Sequence, residues 1–343
     1  AGLIGGRLRQ GSMNTTAFSF GPLGAKGFAF LNMVQLIGWT SIMIYDAMLA
    51  LQELAPLSPM IWTIAIGALV ILWLFIGLHN TGYVQAIVSL LLLSLTFYMG
   101  MHMIAQWPSE SNLVSDGSMS FIAALELSIA MPLSWLPLIS DYTRESKHPF
   151  TASLTSATIY TVTSIVMYTL GLSAAIFGGG DSIITIMMNA GLGLAGLLVI
   201  IFSTVTTTFM DAYSAGVSST TIYNSASSKG IAVIVTIVGT IAAILYPMDD
   251  ITDFLYLIGS VFTPMIAILL ADYFMNRQQV QTLSAFLVRG TIWAVSVGLY
   301  HYMLHSESTV GATLPAFTMA FIITTIIGFV SKTVKVSTEV KQP

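Results

Sequence analysis

The sequence predicts an all-α polytopic membrane protein, and three observations carry that reading. Of 343 residues, 55% are hydrophobic and only 8% are charged, with a mean hydropathy of +0.85. A soluble domain carries about 25% charged residues, so this chain lacks the polar surface to face water all round. Apolar runs recur at lengths that cross a bilayer, which takes about 20 residues. The basic residues fall in alternate loops. The alternating segments of about 10 residues that a transmembrane β-barrel needs are not seen.

Taken in order, the first residues, "AGLIGGRLRQGS", read as the last turn or two of a helix entering the cytoplasm. A helix that enters the cytoplasm must begin earlier, so one helix and most of another are expected upstream of residue 1. Full spans follow at 27–50, 59–78, 83–105, 119–140, 152–177, 186–216, 230–246, 252–275, 284–304 and 312–331. Together, residues 1–343 make a single transmembrane domain. "LAPLSP", "QWPSESNLVSDGS", "FGGGDS", "YPMDDITD" and "HSESTVG" read as loops on one side. "LHNTG", "RESKHP", "SSTTIYNSASSKG" and "NRQQVQT" read as loops on the other.

All eleven Lys and Arg lie on one side of that arrangement: Arg7, Arg9, Lys26, Arg144, Lys147, Lys229, Arg277, Arg289, Lys332, Lys335 and Lys341. The opposite loops carry Glu53, Glu110, Asp116, Asp181, Asp249, Asp250, Asp253 and Glu307, with no base. The positive-inside rule puts both termini in the cytoplasm, as for a multi-pass protein of the cell membrane. A wrong helix count would scatter the bases, so the pattern also checks the spans. The chain has no cysteine, which excludes disulfides, thiolate nucleophiles and Cys-based metal sites. No charged n-region precedes an apolar h-region with a cleavage site.

A carboxylate near mid-membrane costs roughly 2.5–3.5 kcal/mol and usually faces a bundle interior or a cavity. Three stand out: Asp46, Glu126 and Asp211. In the sixth span, Ser203, Thr207, Asp211, Ser214 and Ser218 recur at helical spacing and form one face. Hydroxyls on such a face often serve as helix–helix glue, but glue does not need a charge. In the first span, Gln35, Trp39, Met43 and Asp46 repeat the device, with an aromatic plane between an amide and a carboxylate. Trp39 lies about 18 Å from either end of its span, too deep for an interfacial anchor. The fourth span holds Glu126, Pro132, Ser134, Trp135 and Pro137. Two prolines five apart remove two backbone donors and predict a broken helix, or a simple kink. Discontinuous helices mark binding sites in secondary transporters.

His301 and His305 have metal-ligand spacing, but no Glu or third ligand accompanies them, and no metal site is expected. No P-loop is present, and no catalytic pair is visible. An intramembrane enzyme or a non-transporting scaffold remain as other classes. A scaffold gains nothing from the cost of three buried acids.

"PLISDYTR" at 137–144, "FLYLIGSVFTPMIAILLADYF" at 254–274, "AFSFGPLGAKG" at 17–27 and "QLIGWTS" at 35–41 resemble the nucleobase–cation symporter family 1. "QLIGWTSIMIYDAM" with "MPLSWLPLISDYTR" resembles its hydroxymethylpyrimidine, or CytX-like, thiamine-precursor branch. The resemblance covers essentially the whole chain. It implies a LeuT-like inverted-repeat transporter fold of twelve helices, of which this chain would hold helices 3 to 12, without helix 1 and most of helix 2.

It also implies a flat heterocyclic substrate at mid-membrane, stacked on helix 3 and held by helices 3, 6 and 8. Trp39 falls on the helix 3 stacking position, with Gln35 and Met43 beside it. On helix 6, Pro132 falls where relatives often carry an aromatic, and Trp135, next to Ser134, is one turn on. On helix 8, Asp211 falls where relatives carry a substrate-binding Asn, with Thr207 one turn before it. A carboxylate only accepts hydrogen bonds, which favours a ligand with two adjacent N–H donors, such as a protonated aminopyrimidine.

The family's helix 8 Ser–Thr sodium pair reads Val205–Thr206 here, with Thr207 adjacent. The coupling ion implied is Na+ through these hydroxyls, or H+ through Asp211, Glu126 or Asp46. No other cofactor and no nucleic-acid partner is expected. The expected function is import of a pyrimidine-like base, with hydroxymethylpyrimidine first and cytosine, purine or allantoin as alternatives.

Overall fold

An apolar segment in lipid must pair its backbone groups within itself, and each described element is accordingly helical. The computed structural model describes residues 1–76, 78–105, 120–177, 188, 191, 193–248, 251–277, 279–280, 282–306 and 308–339. A short α1, Gly2–Leu8, leads into α2, Ser12–Leu54. Gly21, at φ 64° and ψ 178°, divides α2 into two limbs. Glycine takes this left-handed φ without steric cost, and Pro22 then opens the second limb at the position where its missing N–H is harmless.

There follow α3, Pro59–Ile76; α4, Leu78–Ala105; α5, Phe121–Trp135; α6, Ile139–Thr143; and α7, Pro149–Phe177. The second half comprises α8, Gly193–Ile222; α9, Ser228–Leu245; α10, Ile251–Leu270; α11, Leu283–His305; and α12, Thr313–Glu339. The π-helical turn Ala271–Asn276 continues α10 directly. Side-chain oxygens of Ser120, Ser227 and Thr282 cap α5, α9 and α11 by accepting from main-chain N–H groups three residues on.

Among the described residues, nine segments are long and apolar enough to cross a membrane, with α5 and α6 counted as one. Each of the ten predicted spans corresponds to a helix. The span expected at 83–105 is α4, whose apolar stretch Gln85–Tyr98 is shorter than the other nine. Several boundaries differ. Helix α2 begins at Ser12 where the first span is expected from 27, and α12 runs to Glu339 where the last is expected to end at 331. The stretch from Val217 to Ile222, beyond the predicted end of the sixth span, stays helical in α8. Ser219 and Thr220 donate their hydroxyls to the carbonyls of Gly216 and Val217, so these polar residues satisfy themselves within the helix. Glu110, Asp116, Asp181, Asp249, Asp250 and Glu307 lie outside the described residues.

The second limb of α2 is the centre of the fold. It packs against α8, α9, α3 and α10. Small residues let these backbones approach. A Cβ on Gly239 of α9 would collide with Thr40 of α2, and one on Gly67 of α3 would collide with Thr240 of α9. Leu36 of α2 meets Phe209, Ala212 and Ala215 of α8, while Phe28 and Ala29 join a cluster with Ile258, Phe262 and Met265 of α10. Thus α2 stands between α8 and α10, and side chains on its opposite faces belong to different cores.

The two prolines act unequally. Pro132 is carried inside α5. The helix ends only at Trp135, and the interruption covers residues 136–138, around Pro137, before α6 resumes.

Candidate functional site

The interruption between α5 and α6 opens a main-chain acceptor. Leu138 N–H bonds to the carbonyl of Trp135 at 3.0 Å, not to that of Ser134 four residues back. The Ser134 carbonyl is taken instead by Gln35 Nε2 of α2, at 3.3 Å. The same amide donates to Asn32 Oδ1 at 2.8 Å, and Asn32 Nδ2 donates to Ser218 Oγ of α8 at 2.8 Å. A buried polar chain therefore ties the helix break to α2 and α8. Ser134 Oγ turns back to the carbonyl of Met131, at 2.6 Å.

Two atoms on this face of α2 lack a hydrogen-bond partner among the described residues: Gln35 Oε1 and Trp39 Nε1. One is an acceptor and the other a donor, one helical turn apart, and both are buried. Leaving such groups unpaired costs about 1–3 kcal/mol each. Trp39 meets Phe254 of α10 edge-on, with ring centroids 5.6 Å apart and planes at 70°. Gly38 allows that approach, because a Cβ there would strike the Phe254 ring.

Asp211 of α8 is 6% exposed, and its carboxylate accepts no hydrogen bond among the described residues. One turn on, Ser214 Oγ lies 3.2 Å from Tyr142 Oη, and that hydroxyl also donates to the carbonyl of Met210 at 2.9 Å. Thr207 is half-buried on the same face. Thr206 donates its hydroxyl to the carbonyl of Ser203 at 3.1 Å, and Val205 packs with Ile44 and Val70.

The remaining predicted residues scatter. Met43 and Trp135 are half-buried, and Asp46 is exposed on α2. Glu126 is buried, yet it stands outside this group. It accepts from Ala312 N, Thr313 N and Thr313 Oγ1, and so caps the start of α12. Gln35 and Ser134 are thus joined directly. Trp39 belongs to the α10 side of α2, and Asp211 to α8. No hydrogen bond or ring contact links Trp39 to Asp211 among the described residues.

Sequence reasoning passed over Asn32, although it stands three residues before Gln35 on the same helix face. It also passed over Asp141, which lay in a quoted motif but near a helix end. His305 Nδ1 lies 2.8 Å from the carbonyl of His301, and no group of three metal-ligating side chains occurs among the described residues. A cavity of about 520 Å³ opens elsewhere, at the Gly21 kink, lined by Asn14, Lys26, Thr221 and Asn224.

Comparison with known proteins adds the following. A family described as permeases for cytosine/purines, uracil, thiamine and allantoin matches residues 1–342. The cytosine permeases of Escherichia coli strains K12 and O157:H7 are each 25% identical over 185 residues, which is 53% of this chain and 44% of theirs. The chain thus matches less than half the length of these curated relatives. Among solved structures, Mhp1, a nucleobase-cation-symport-1 family transporter in a closed conformation with bromovinylhydantoin bound, superposes with a TM-score of 0.77. That match has 16% identity and covers 97% of this chain and 82% of Mhp1. A Na+-coupled sialic acid symporter in a substrate-bound outward-open state superposes with a TM-score of 0.64, at 16% identity, covering 96% of this chain and 78% of that one. At such identities the likeness is one of fold, and the fold is LeuT-like.

Proposed function

The chain belongs to the permease family for cytosine/purines, uracil, thiamine and allantoin, and from that premise we propose that it forms the core of a cation-coupled carrier for an aminopyrimidine-like base. The observation that carries this reading is the pair of buried, unpartnered groups on α2, Gln35 Oε1 and Trp39 Nε1. A heterocycle that lies against Trp39 supplies a donor to the first and an acceptor to the second. Asp211, across α8, accepts from an exocyclic amine and a protonated ring nitrogen. Ser134, Trp135, Met43 and Thr207 are the further side chains proposed to contact the base. The lipid bilayer is the medium, and the basic loops face the cytoplasm. The chemistry is transport and not an enzymatic conversion.

Hydroxymethylpyrimidine is the first candidate. Cytosine is the second, favoured by the likeness to the E. coli cytosine permeases. Both are aminopyrimidines, and both suit an acceptor at Asp211. Among the acids, Asp211 is the candidate for proton coupling because of what the others already do, while Thr206 donates within its own helix and keeps its lone pairs for a sodium ion as the alternative. Glu126 caps α12, and Asp46 is exposed. Asp211 remains as the buried acid with no hydrogen bond among the described residues.

The test is uptake of labelled hydroxymethylpyrimidine beside labelled cytosine by cells expressing the natural protein that carries this chain, with and without sodium, at two pH values. Uptake of one base that rises with a proton gradient and is lost in Trp39→Ala supports the reading. Sodium-driven uptake that is indifferent to Asp211→Asn would remove the role given to Asp211. Uptake of neither base would remove the substrate class.

A further inference from the structure

Four buried residues from three helices and a helix break fix which way round one amide can sit. Asn32, Gln35, Ser134 and Ser218 are each at most 3% exposed. The direction of the chain they form is set at one end. The main-chain carbonyl of Ser134 accepts a hydrogen bond and cannot donate one. The Gln35 atom 3.3 Å from it must therefore be the nitrogen, Nε2. The same nitrogen lies 2.8 Å from an Asn32 side-chain atom, which must then be the oxygen, Oδ1. Asn32 is left to turn Nδ2 toward Ser218 Oγ, at 2.8 Å. A hydroxyl can donate or accept, so Ser218 closes the chain without setting its direction. Turning Gln35 over would set its oxygen against the Ser134 carbonyl, whatever Asn32 did.

The consequence falls on the free end of Gln35. An amide nitrogen carries two hydrogens, and Nε2 has two acceptors, Asn32 Oδ1 and the Ser134 carbonyl. Gln35 has only Oε1 left to offer, and that atom is buried without a partner among the described residues. Of the two bonds that hold the amide, the 2.8 Å bond to Asn32 is the stronger. The 3.3 Å bond to Ser134 lies beyond the usual range of N–H···O distances, which ends at about 3.2 Å.

We infer that Asn32 is a positioning residue for substrate selection: by holding Gln35 Nε2 it obliges the site to present an acceptor, so that a base must offer an N–H or O–H group to Gln35 Oε1. Asn32 does not touch the base and acts through Gln35. In cytosine the ring N1–H group meets the demand, and in hydroxymethylpyrimidine the hydroxyl group does. Without Asn32 the longer bond alone restrains the amide. Gln35 can then turn over and offer a donor, and a base that lacks the N–H or O–H group is no longer penalised. This inference rests on the reading that a base lies against Gln35 and Trp39.

Calorimetric titration of the purified natural protein that carries this chain tests it with two pairs of probes. Cytosine is compared with N1-methylcytosine, and hydroxymethylpyrimidine with the analogue in which a methyl group replaces the hydroxymethyl group. The second member of each pair lacks one donor. In the wild type, the first member of whichever pair binds should be preferred by about tenfold or more, because its analogue leaves Oε1 buried and unpaired. That preference should fall by about tenfold in Asn32→Leu and persist in Asn32→Asp. A carboxyl group, ionised or protonated, keeps an oxygen for Gln35 Nε2, and the Ser218 hydroxyl can reverse to serve the other oxygen. If Asn32→Leu fails to fold, Asn32→Ser replaces it, since a serine hydroxyl bonds back to its own helix and leaves Gln35 unheld. A residue that only stabilised the helices would weaken both members of a pair alike, and a methyl group rejected for its bulk would be rejected in every variant. A preference unchanged in Asn32→Leu or Asn32→Ser, or lost equally in Asn32→Asp, overturns the inference and leaves the substrate reading standing. Binding of neither pair to the wild type removes the substrate reading, and this inference with it.

Discussion

The carboxylate of Glu126 on α5 closes over the first turn of α12, accepting from Thr313 Oγ1 at 2.6 Å and from the Thr313 main-chain N–H at 3.1 Å. The contact joins residues 187 positions apart in the chain. It uses the orphan donors and the positive end of a helix dipole to hold a buried negative charge. Gly311, at φ 78°, permits it, because a Cβ there would occupy the place of the carboxylate.

Glu126→Ala should therefore destabilise the protein without changing which base it binds. Hydrogen bonds to a charged group contribute about 1.5–3 kcal/mol, and Glu126→Gln should lose part of that. Thermal unfolding in detergent, run beside a base-binding titration, checks both halves. A normal melting curve with altered proton dependence of uptake would return Glu126 to the transport path.

Trp39→Ala should weaken base binding by about tenfold or more, and Trp39→Phe by less. Aromatic stacking contributes about 0.5–1.5 kcal/mol beyond the area it buries, and about 1.4 kcal/mol corresponds to a factor of ten. Equilibrium binding of labelled base measures this. Equal binding by the wild type and Trp39→Ala would place the heterocycle elsewhere.

Asp211→Asn should weaken binding of an aminopyrimidine by about 2–5 kcal/mol, the cost of truncating one partner of a buried charged hydrogen bond. It should also flatten the pH dependence of uptake. Uracil offers no such donor pair and should gain relative to cytosine in the same variant. Competition by unlabelled bases shows the change of preference. Unchanged competition would separate Asp211 from substrate contact.

Asp272 and Arg289 form a buried pair, with Arg289 Nη2 3.0 Å from Asp272 Oδ1 and Asn276 donating to the same oxygen. Asn276 also donates to the carbonyl of Thr324, so the group pins the π-turn after α10 to α11 and α12. Arg289→Ala should cost about 3–5 kcal/mol, because it leaves an uncompensated buried carboxylate. The double change Asp272→Leu with Arg289→Met should recover much of that loss. Melting temperatures of the three proteins decide it.

The spans and the alternation of basic loops were legible in the sequence because hydropathy is local: a run of apolar residues announces a helix whatever packs against it. The α8 stripe was legible for a similar reason, since helical spacing places Ser214 and Asp211 on one face before any partner is known. Asn32 was missed because one amide in an apolar run carries no periodic signal. Its importance arises from Ser218, 186 residues on. Asp141 was quoted within a motif, but its depth could not be judged from its position near a helix end. Ser12, from the start of α2, is what encloses it.

The sequence by itself determined the class of the protein, its helices and the residues whose burial in lipid demands a reason. Tertiary structure alone decided what each reason is. Glu126 and Asp211 look alike as isolated carboxylates within apolar segments. One meets the amide donors of α12 and is satisfied as a cap, while the other is buried in α8 with no hydrogen bond among the described residues. The cost of burying a charge is a local property that composition reveals. Its compensation comes from groups far away in the chain, and only the packing of the helices brings them within hydrogen-bond distance.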